Sequence, residues 1–416
     1  MNGGGLARDL KRCWNRFAVF RGLAADPVFA RFIELLTDPC PDAAGAFAAS
    51  LYATGTDRWD QYLRGLVFSE ETPLVRLTAE GEAVPPLMSE AADWEMGVLE
   101  AMGALSPEDL GLSTPPGWEC GASGQSWLLE YREHLASMER HGFGIYARHR
   151  AFRLAGPEED PRLAPVSHPD AVSVANLYGY ERQRAAVVEN TRMLLAGLPA
   201  ANVLLYGDAG TGKSATVKAT ANLLAPEGLR LVELTRTQLH LLPRLLDELA
   251  HNPLRFVVFI DDLSFQDSDE DFSALKAVLE GGVSARAANT AIYATSNRRH
   301  LVRETFSSRE GDEIHRQDTM QETLSLSERF GLRVRYDRPG RDDYLAIVKG
   351  LAGERGLELP EGQLALEAER FATRAGGRSA RAARQLVDRL YVDVHLGTNA
   401  RCMIDVQAGT VPVCTL

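Results

Sequence analysis

Eight consecutive residues, Gly207-Asp208-Ala209-Gly210-Thr211-Gly212-Lys213-Ser214, carry the spacing G-x-x-x-x-G-K-S. That spacing cradles the phosphates of a nucleoside triphosphate. The glycines let the backbone curl so that the N–H groups of Gly207 to Gly212, and of Ala215 just inside the following helix, point at phosphate oxygens. Lys213 would reach the β- and γ-phosphates and the Ser214 hydroxyl would coordinate Mg²⁺. About fifty residues on, the apolar run 256–260 ends in Asp261-Asp262. Paired with such a loop, Asp261 would hold the metal, directly or through water, and Asp262 would polarise the attacking water. The run Thr290–Asn297 ends in small polar residues, and Asn297 could position that water or simply make a turn.

These groups need a scaffold that brings strand ends together. From residue 181 onward, short apolar runs alternate with helical patterns. Helices are expected over Glu181–Leu195, Lys213–Leu224, Leu239–Ala250 and Asp271–Leu279. Strands are expected over Asn202–Tyr206, Arg230–Leu234, Phe256–Ile260, Thr290–Ala294 and Arg333–Tyr336. Strands this apolar between helices imply an α/β fold with a parallel sheet covered on both faces. Residues 342–354, 360–375 and 379–395 read as three helices, with Ser379 suited to cap the last.

Residues 1–155 read as a separate, mostly helical domain. Helices are expected over Asp9–Gly22, Asp26–Thr37 and Gln125–Leu154, the last interrupted near Gly142–Gly144, and a strand over Thr72–Thr78. Four prolines between Pro157 and Pro169 make residues 156–172 a linker. The α/β domain then spans 173–338 and the helical segment 339–396. The tail 397–416 is either a small hairpin or an ordered extension.

The chain has 416 residues, enough for more than one domain. It is 45% hydrophobic and 25% charged, ordinary for a globular protein. Its net charge of -12 argues against non-specific coating of nucleic acid, which rests on neutralising phosphates. No run is apolar enough to cross a membrane, and Met1–Leu10 lacks the pattern of a secretory signal. Cys13, Cys40, Cys120, Cys402 and Cys414 are scattered and read as reduced thiols of a cytoplasmic protein. His134, His141 and His149 form no metal set and read as surface or core.

The order of phosphate loop, Asp-Asp strand, strand ending in Asn, Arg-Phe segment and C-terminal helices resembles the AAA+ ATPases over residues 176–395. The resemblance implies a P-loop NTPase sheet sandwich with a helical lid, and ATP with Mg²⁺ as cofactors. Leu177–Gln183 resembles the segment that packs on adenine, which would involve Tyr178 and Gly179. Ser327-Glu328-Arg329-Phe330-Gly331 resembles the box carrying an arginine finger, so Arg329 would reach a neighbouring subunit's γ-phosphate. Gly376–Arg381 resembles the sensor at the start of a lid helix, best fitted by Arg378, with Arg381 one turn along. Leu177–Gln183, residues 261–265, Asp312–His315 and Leu326–Leu332 together resemble a bacterial AAA+ family defined as a domain of unknown function.

Two features depart from the pattern. The usual Glu after the first Asp is Asp262, one methylene shorter, which implies slow hydrolysis. Thr235–Pro243 lacks the aromatic-apolar-Gly trio of polypeptide-threading relatives. The charged segment 298–328 is either a partner loop or a solvated helix pair. The resulting expectation is an ATPase working as a ring or spiral homo-oligomer, with an unidentified protein partner on the N-terminal domain. A nucleotide-dependent switch and a nucleic-acid-associated loader are the alternatives.

Overall fold

In the computed structural model the described residues are 3–112, 117–121, 124, 126–157, 161–263, 275–279, 288–297, 328–357 and 359–396. The charged segment, over residues 298–327, and the tail lie outside them. Of the helix expected over 271–279, residues 275–279 are described and helical. Chain contacts divide the molecule into two units, residues 1–150 with 250–255, and residues 151–249 with 256–416.

The first unit is built from helices. Pro27–Thr37 is the helix expected from its sequence, with Asp26 accepting from the N–H groups of Val28 and Phe29 at 3.0 and 2.9 Å. The first helix is Gly3–Trp14 and stops eight residues short of the expected end. Its continuation is turned aside because the N–H groups of Ala18, Val19 and Phe20 bond to the buried Glu95 carboxylate at 2.6 to 3.1 Å. Residues 73–79 are a helix, not a strand. Thr72 caps it through Val75 N–H at 3.2 Å and Pro73 fills the first turn, a helix-start signal that outweighs the alternating apolar pattern. The segment 125–154, read as one long helix or two interrupted near Gly142–Gly144, is three short helices, Trp127–Ala136, Met138–His141 and Ile145–Arg148. The expected interruption is made by Gly142 and Gly144 at φ 69° and 58°, and a further break falls at Ser137. The His134 and His141 rings stand 5.3 Å apart, and burial, with His141 beside it, pushes His134 down to about 4. Phe29, Phe32, Phe47 and Trp59 pack the centre of the unit.

The second unit carries a seven-stranded, mostly parallel sheet. Its strands are β1 (Ala151–Ala155), β2 (Arg162–Pro165), β3 (Val203–Gly207), β4 (Leu229–Leu234), β5 (Arg255–Ile260), β6 (Thr290–Ser296) and β7 (Leu332–Tyr336). Their order is β2-β1-β4-β5-β6-β3-β7. β1 and β2 correct the sequence expectation. Residues 151–155 were expected to be helical and 156–172 to be linker, yet the two segments pair antiparallel and β1 pairs parallel with β4. Pro165 sits at the end of an edge strand, where no ladder donor is needed.

In register, Tyr206 lies beside Ser296, Gly207 beside Tyr336, and Ile260 beside Ala294. The carboxyl ends of β3, β5, β6 and β7 therefore meet at one edge of the sheet. Helices Glu181–Leu195 and Lys213–Leu224 follow their expected bounds. The lid consists of Arg341–Glu354, Glu361–Arg374 and Ala380–His395, packed around Tyr344, Ile347, Val348, Ala383 and Leu386. Ser379 caps the last helix through Ala382 N–H at 3.1 Å. No helix among the described residues is long and apolar enough to cross a membrane.

Replacing Glu95 by alanine would strand three backbone donors in an apolar interior. The expected loss is about 3 kcal/mol, read as an earlier unfolding transition of the helical unit in urea.

Candidate functional site

The carboxyl edge of the sheet and the lid enclose a cleft of about 550 Å³. The loop that follows β3 forms its floor. Gly207, Gly210 and Gly212 have φ of 129°, 75° and 95°, values a side chain would strain. At Gly207 a Cβ would meet the Tyr336 carbonyl oxygen at 2.1 Å, so glycine is required there sterically as well. Asp208 N–H donates to that same carbonyl at 2.9 Å. The loop opens helix Lys213–Leu224, whose N-terminus adds partial positive charge.

Lys213 is buried, and its Nζ donates to the carbonyls of Gly207 and Asp208 at 3.1 and 2.6 Å. Burial pushes its pKa down to about 8, against the opposing pull of Asp208, Asp262 and Asp261. Ser214 Oγ donates to Asp261 Oδ1 at 2.6 Å. One hydroxyl and one carboxylate converging beside the loop form the oxygen pair that suits magnesium, which keeps most of its waters and takes few protein ligands. The donor set fits the metal. Asn297 Nδ2 donates to Asp262 Oδ1 at 2.6 Å. Loop, paired carboxylates and Asn297 all line the one cleft, at Gly210–Ser214, Asp261, Asp262 and Asn297.

The opposite wall comes from the segment before the first helix of the α/β unit and from the lid. Tyr178 packs so closely on the lid that a Cβ on Gly350 would lie 2.3 Å from its ring. Gly179 has φ 74° and faces Ile347. Tyr180 takes φ 61°, sets its ring 5.0 Å from that of Tyr336 and donates to the Asp337 carbonyl at 2.6 Å. Burial raises its pKa.

Arg378 and Arg381 have separate placements. The Arg378 guanidinium makes a two-point bond to Glu369 at 2.9 and 3.2 Å within the lid and does not line the cleft. Arg381 lines it, and so does Arg384 one turn further. Arg329 lies in the turn before the buried Phe330 and is not among the described residues lining its own chain's cleft.

Several lining residues escaped the sequence reading. Arg184 is buried and donates to the Gly179 carbonyl and to Glu181. Its position in the first turn after Tyr180 was the available signal. Asp170 and Val172 sit in the stretch expected to be linker, pinned there by Asn222 Nδ2 at 2.7 and 2.9 Å. Thr295 donates to Asp261 at 2.6 Å and accepts from Asp262 N–H at 2.9 Å.

A glycine loop after the strand between β6 and β7, a paired-carboxylate strand one place beyond β6, and a three-helix lid over the carboxyl edge define an AAA+ module of the P-loop NTPase class. The chain belongs to the family described as "Protein of unknown function (DUF815)", whose model matches residues 147–394. A comparison with curated proteins returns no match. Among solved structures the chain is similar to the RuvB Holliday junction branch migration motor of Thermotoga maritima. That likeness has 15% identity and a TM-score of 0.39, and covers 57% of this chain and 71% of that one. It is also similar to the FIGL-1 AAA domain in complex with ADP, at 17% identity and a TM-score of 0.39, covering 58% of this chain and 78% of that one.

Lys213 supplies a test of the site's electrostatics in the nucleotide-free protein. The unfolded chain keeps this proton to about pH 10.5, whereas the folded chain releases it near 8. Between those values the unfolded state binds more protons, so stability rises with pH there. Relative to wild type, Lys213→Met should lack this rise. The difference is at most about 3 kcal/mol between pH 7.5 and 10.5, measured by denaturant unfolding at several pH values.

Proposed function

We propose that the protein is a Mg²⁺-dependent ATPase that works as a ring or spiral of identical subunits and remodels or loads a partner macromolecule. The supporting observation is the convergence of Lys213, Ser214, Asp261, Asp262 and Asn297 at one end of a cleft closed by a helical lid. Backbone N–H groups of the loop residues that line the cleft, Gly210 to Gly212, and of Ala215 hold the phosphates, while the Asp208 N–H stays on Tyr336, and Lys213 exchanges its two carbonyl partners for them. Ser214 and Asp261 hold magnesium, which when bound neutralises phosphate charge. Asp262 accepts the proton of the attacking water, and Asn297 fixes the orientation of that carboxylate. Leu177, Tyr178, Ile347 and Leu351 form the apolar end suited to the base, and Gly179, which does not line the cleft, supplies the left-handed turn that sets Tyr178 against the lid. On the lid, Arg381 faces the cleft. Arg378 is held by Glu369 within the lid and has no part in the site.

Arg329 supports the oligomeric part of the reading. It belongs to the segment that resembles an arginine-finger box and does not line its own cleft. Offered to a neighbour, it would complete the neighbour's site. The helical unit of residues 1–150 is then the part free to grip a partner protein.

A second reading, a nucleotide-dependent switch with little turnover, draws on the engagement of Asp262 by Asn297. That carboxylate oxygen is already occupied at 2.6 Å and must give up Asn297 before it can receive a proton from water.

Phosphate release from ATP and Mg²⁺, titrated over protein concentration, tests the proposal. Specific activity should rise with concentration. Lys213→Ala should abolish it, and Arg329→Ala should lower it by about a thousandfold, the effect of losing an arginine supplied in trans. A Lys213→Ala variant hydrolysing at the wild-type rate would overturn the ATPase reading. Wild type that binds ATP but turns over no faster than either variant would favour the switch.

A further inference from the structure

Asp261 and Asp262 pose a geometric problem. They follow directly on β5, and consecutive residues of a strand point to opposite faces. Both nevertheless line the same cleft. The backbone at Asp262 solves it by turning left-handed, with φ 54°, one of two non-glycine residues with positive φ among those described. Asp and Asn tolerate this region better than longer side chains do.

One side chain on the neighbouring strand holds the turn. Thr295 is 2% exposed, on β6. Its hydroxyl donates to Asp261 Oδ1 at 2.6 Å and accepts from Asp262 N–H at 2.9 Å, while its carbonyl accepts from Leu263 N–H at 2.7 Å. Three consecutive residues are thus fastened to one threonine. The hydroxyl's single donor is spent on the carboxylate that Ser214 also contacts.

We propose that Thr295 is a positioning residue that fixes the left-handed turn at Asp262. Through that turn, residue 262 is aimed by its backbone conformation, so that aspartate is the fitting length and glutamate is not. The inference rests on the ATPase reading and adds a residue and a rule to it. It inverts the expectation from side-chain length, under which lengthening Asp262 would restore a stronger base.

The test uses the full chain and follows ATP turnover, binding of a fluorescent ATP analogue with Mg²⁺ and with EDTA, and thermal melting. Thr295→Val keeps the shape and removes the hydroxyl. It should lower kcat by about 10- to 100-fold and raise the Mg²⁺ concentration needed for tight binding, as loss of a group orienting a metal ligand does. Its binding in EDTA should stay within about twofold of wild type, since the phosphate loop is untouched. Thr295→Ser should restore both readouts to within about threefold. The exposed Asp262→Glu should melt like wild type and turn over about tenfold more slowly, with unchanged nucleotide affinity. Asp262→Asn should bind ATP and not hydrolyse it. The proposal is overturned if Asp262→Glu is faster than wild type, or if Thr295→Val matches wild type in both kcat and Mg²⁺ dependence. Wild type that fails to bind the analogue at all would instead overturn the ATPase reading beneath it.

Discussion

The carbonyl oxygen of Tyr336 occupies the place where a side chain on Gly207 would stand. This contact, between the last residue of β7 and the last of β3, governs the site. It requires glycine at 207, and it receives the Asp208 N–H as the chain leaves the sheet. Tyr336 is itself fixed. It is fully buried, its hydroxyl bonds to Thr216 in the helix that the loop opens, and its ring lies against Tyr180. Strand, loop and helix are therefore referred to one residue, through its carbonyl and its side chain. A loop that must hold phosphates through its backbone has few side chains of its own to stiffen it, so rigidity has to come from a neighbouring strand.

The lid is tied to the same loop. Arg381 N–H donates to the Gly210 carbonyl at 3.0 Å, so the last lid helix begins on the phosphate loop itself. Arg338, just after β7, pairs with Asp208 at 3.3 Å and donates to the Gly376 carbonyl at 3.3 Å. Gly377 is packed so closely on Arg338 that a Cβ there would lie 2.8 Å from its guanidinium. Movement of the loop when phosphates enter would thus be felt at both the entry and the last helix of the lid. Such direct linkage lets a small local change bias a rigid body.

Much of this was legible in the sequence, and the misses have physical causes. The loop, both carboxylates and Asn297, which the fold brings to one cleft, stand out in the sequence because the chemistry proposed for them demands fixed types at fixed spacing. The strands β3, β5 and β6 were found because buried parallel strands read as continuous apolar runs, and the edge strand β7 through its alternation of Arg333 and Arg335 with Val334 and Tyr336. β2 was missed because a short edge strand among prolines is half exposed and carries little apolar signal, and β1 because its buried Phe152 and Leu154 were read as the end of the preceding helix. Residues 73–79 were misread because Thr72-Pro73, a capping signal, was weighed less than alternation. Thr295 passed as one of several small polar residues. Its role depends on pairing between strands thirty residues apart, which local patterns do not reveal. The Arg378–Glu369 pair is likewise a tertiary fact: the motif favours Arg378 as the sensor, but the carboxylate on the preceding helix holds it, and Arg381 lines the cleft instead.

Charge follows the same logic of local against global. The chain is acidic overall, at -12, yet Lys213, Arg184, Arg381 and Arg384 all line the cleft. Asp170, Asp261 and Asp262 line it too. Phosphates need the bases, and a divalent cation needs the acids, so a site for one without the other would be lopsided in charge. Here the two sets face one cavity, and the ammonium of Lys213 is already partly destabilised by burial. In the proposed ATPase a phosphate beside Lys213 would offset that cost, because the buried cation would gain a partner of opposite charge in place of two neutral carbonyls. The Arg381 N–H on the Gly210 carbonyl is the direct connection by which such binding would reach the lid.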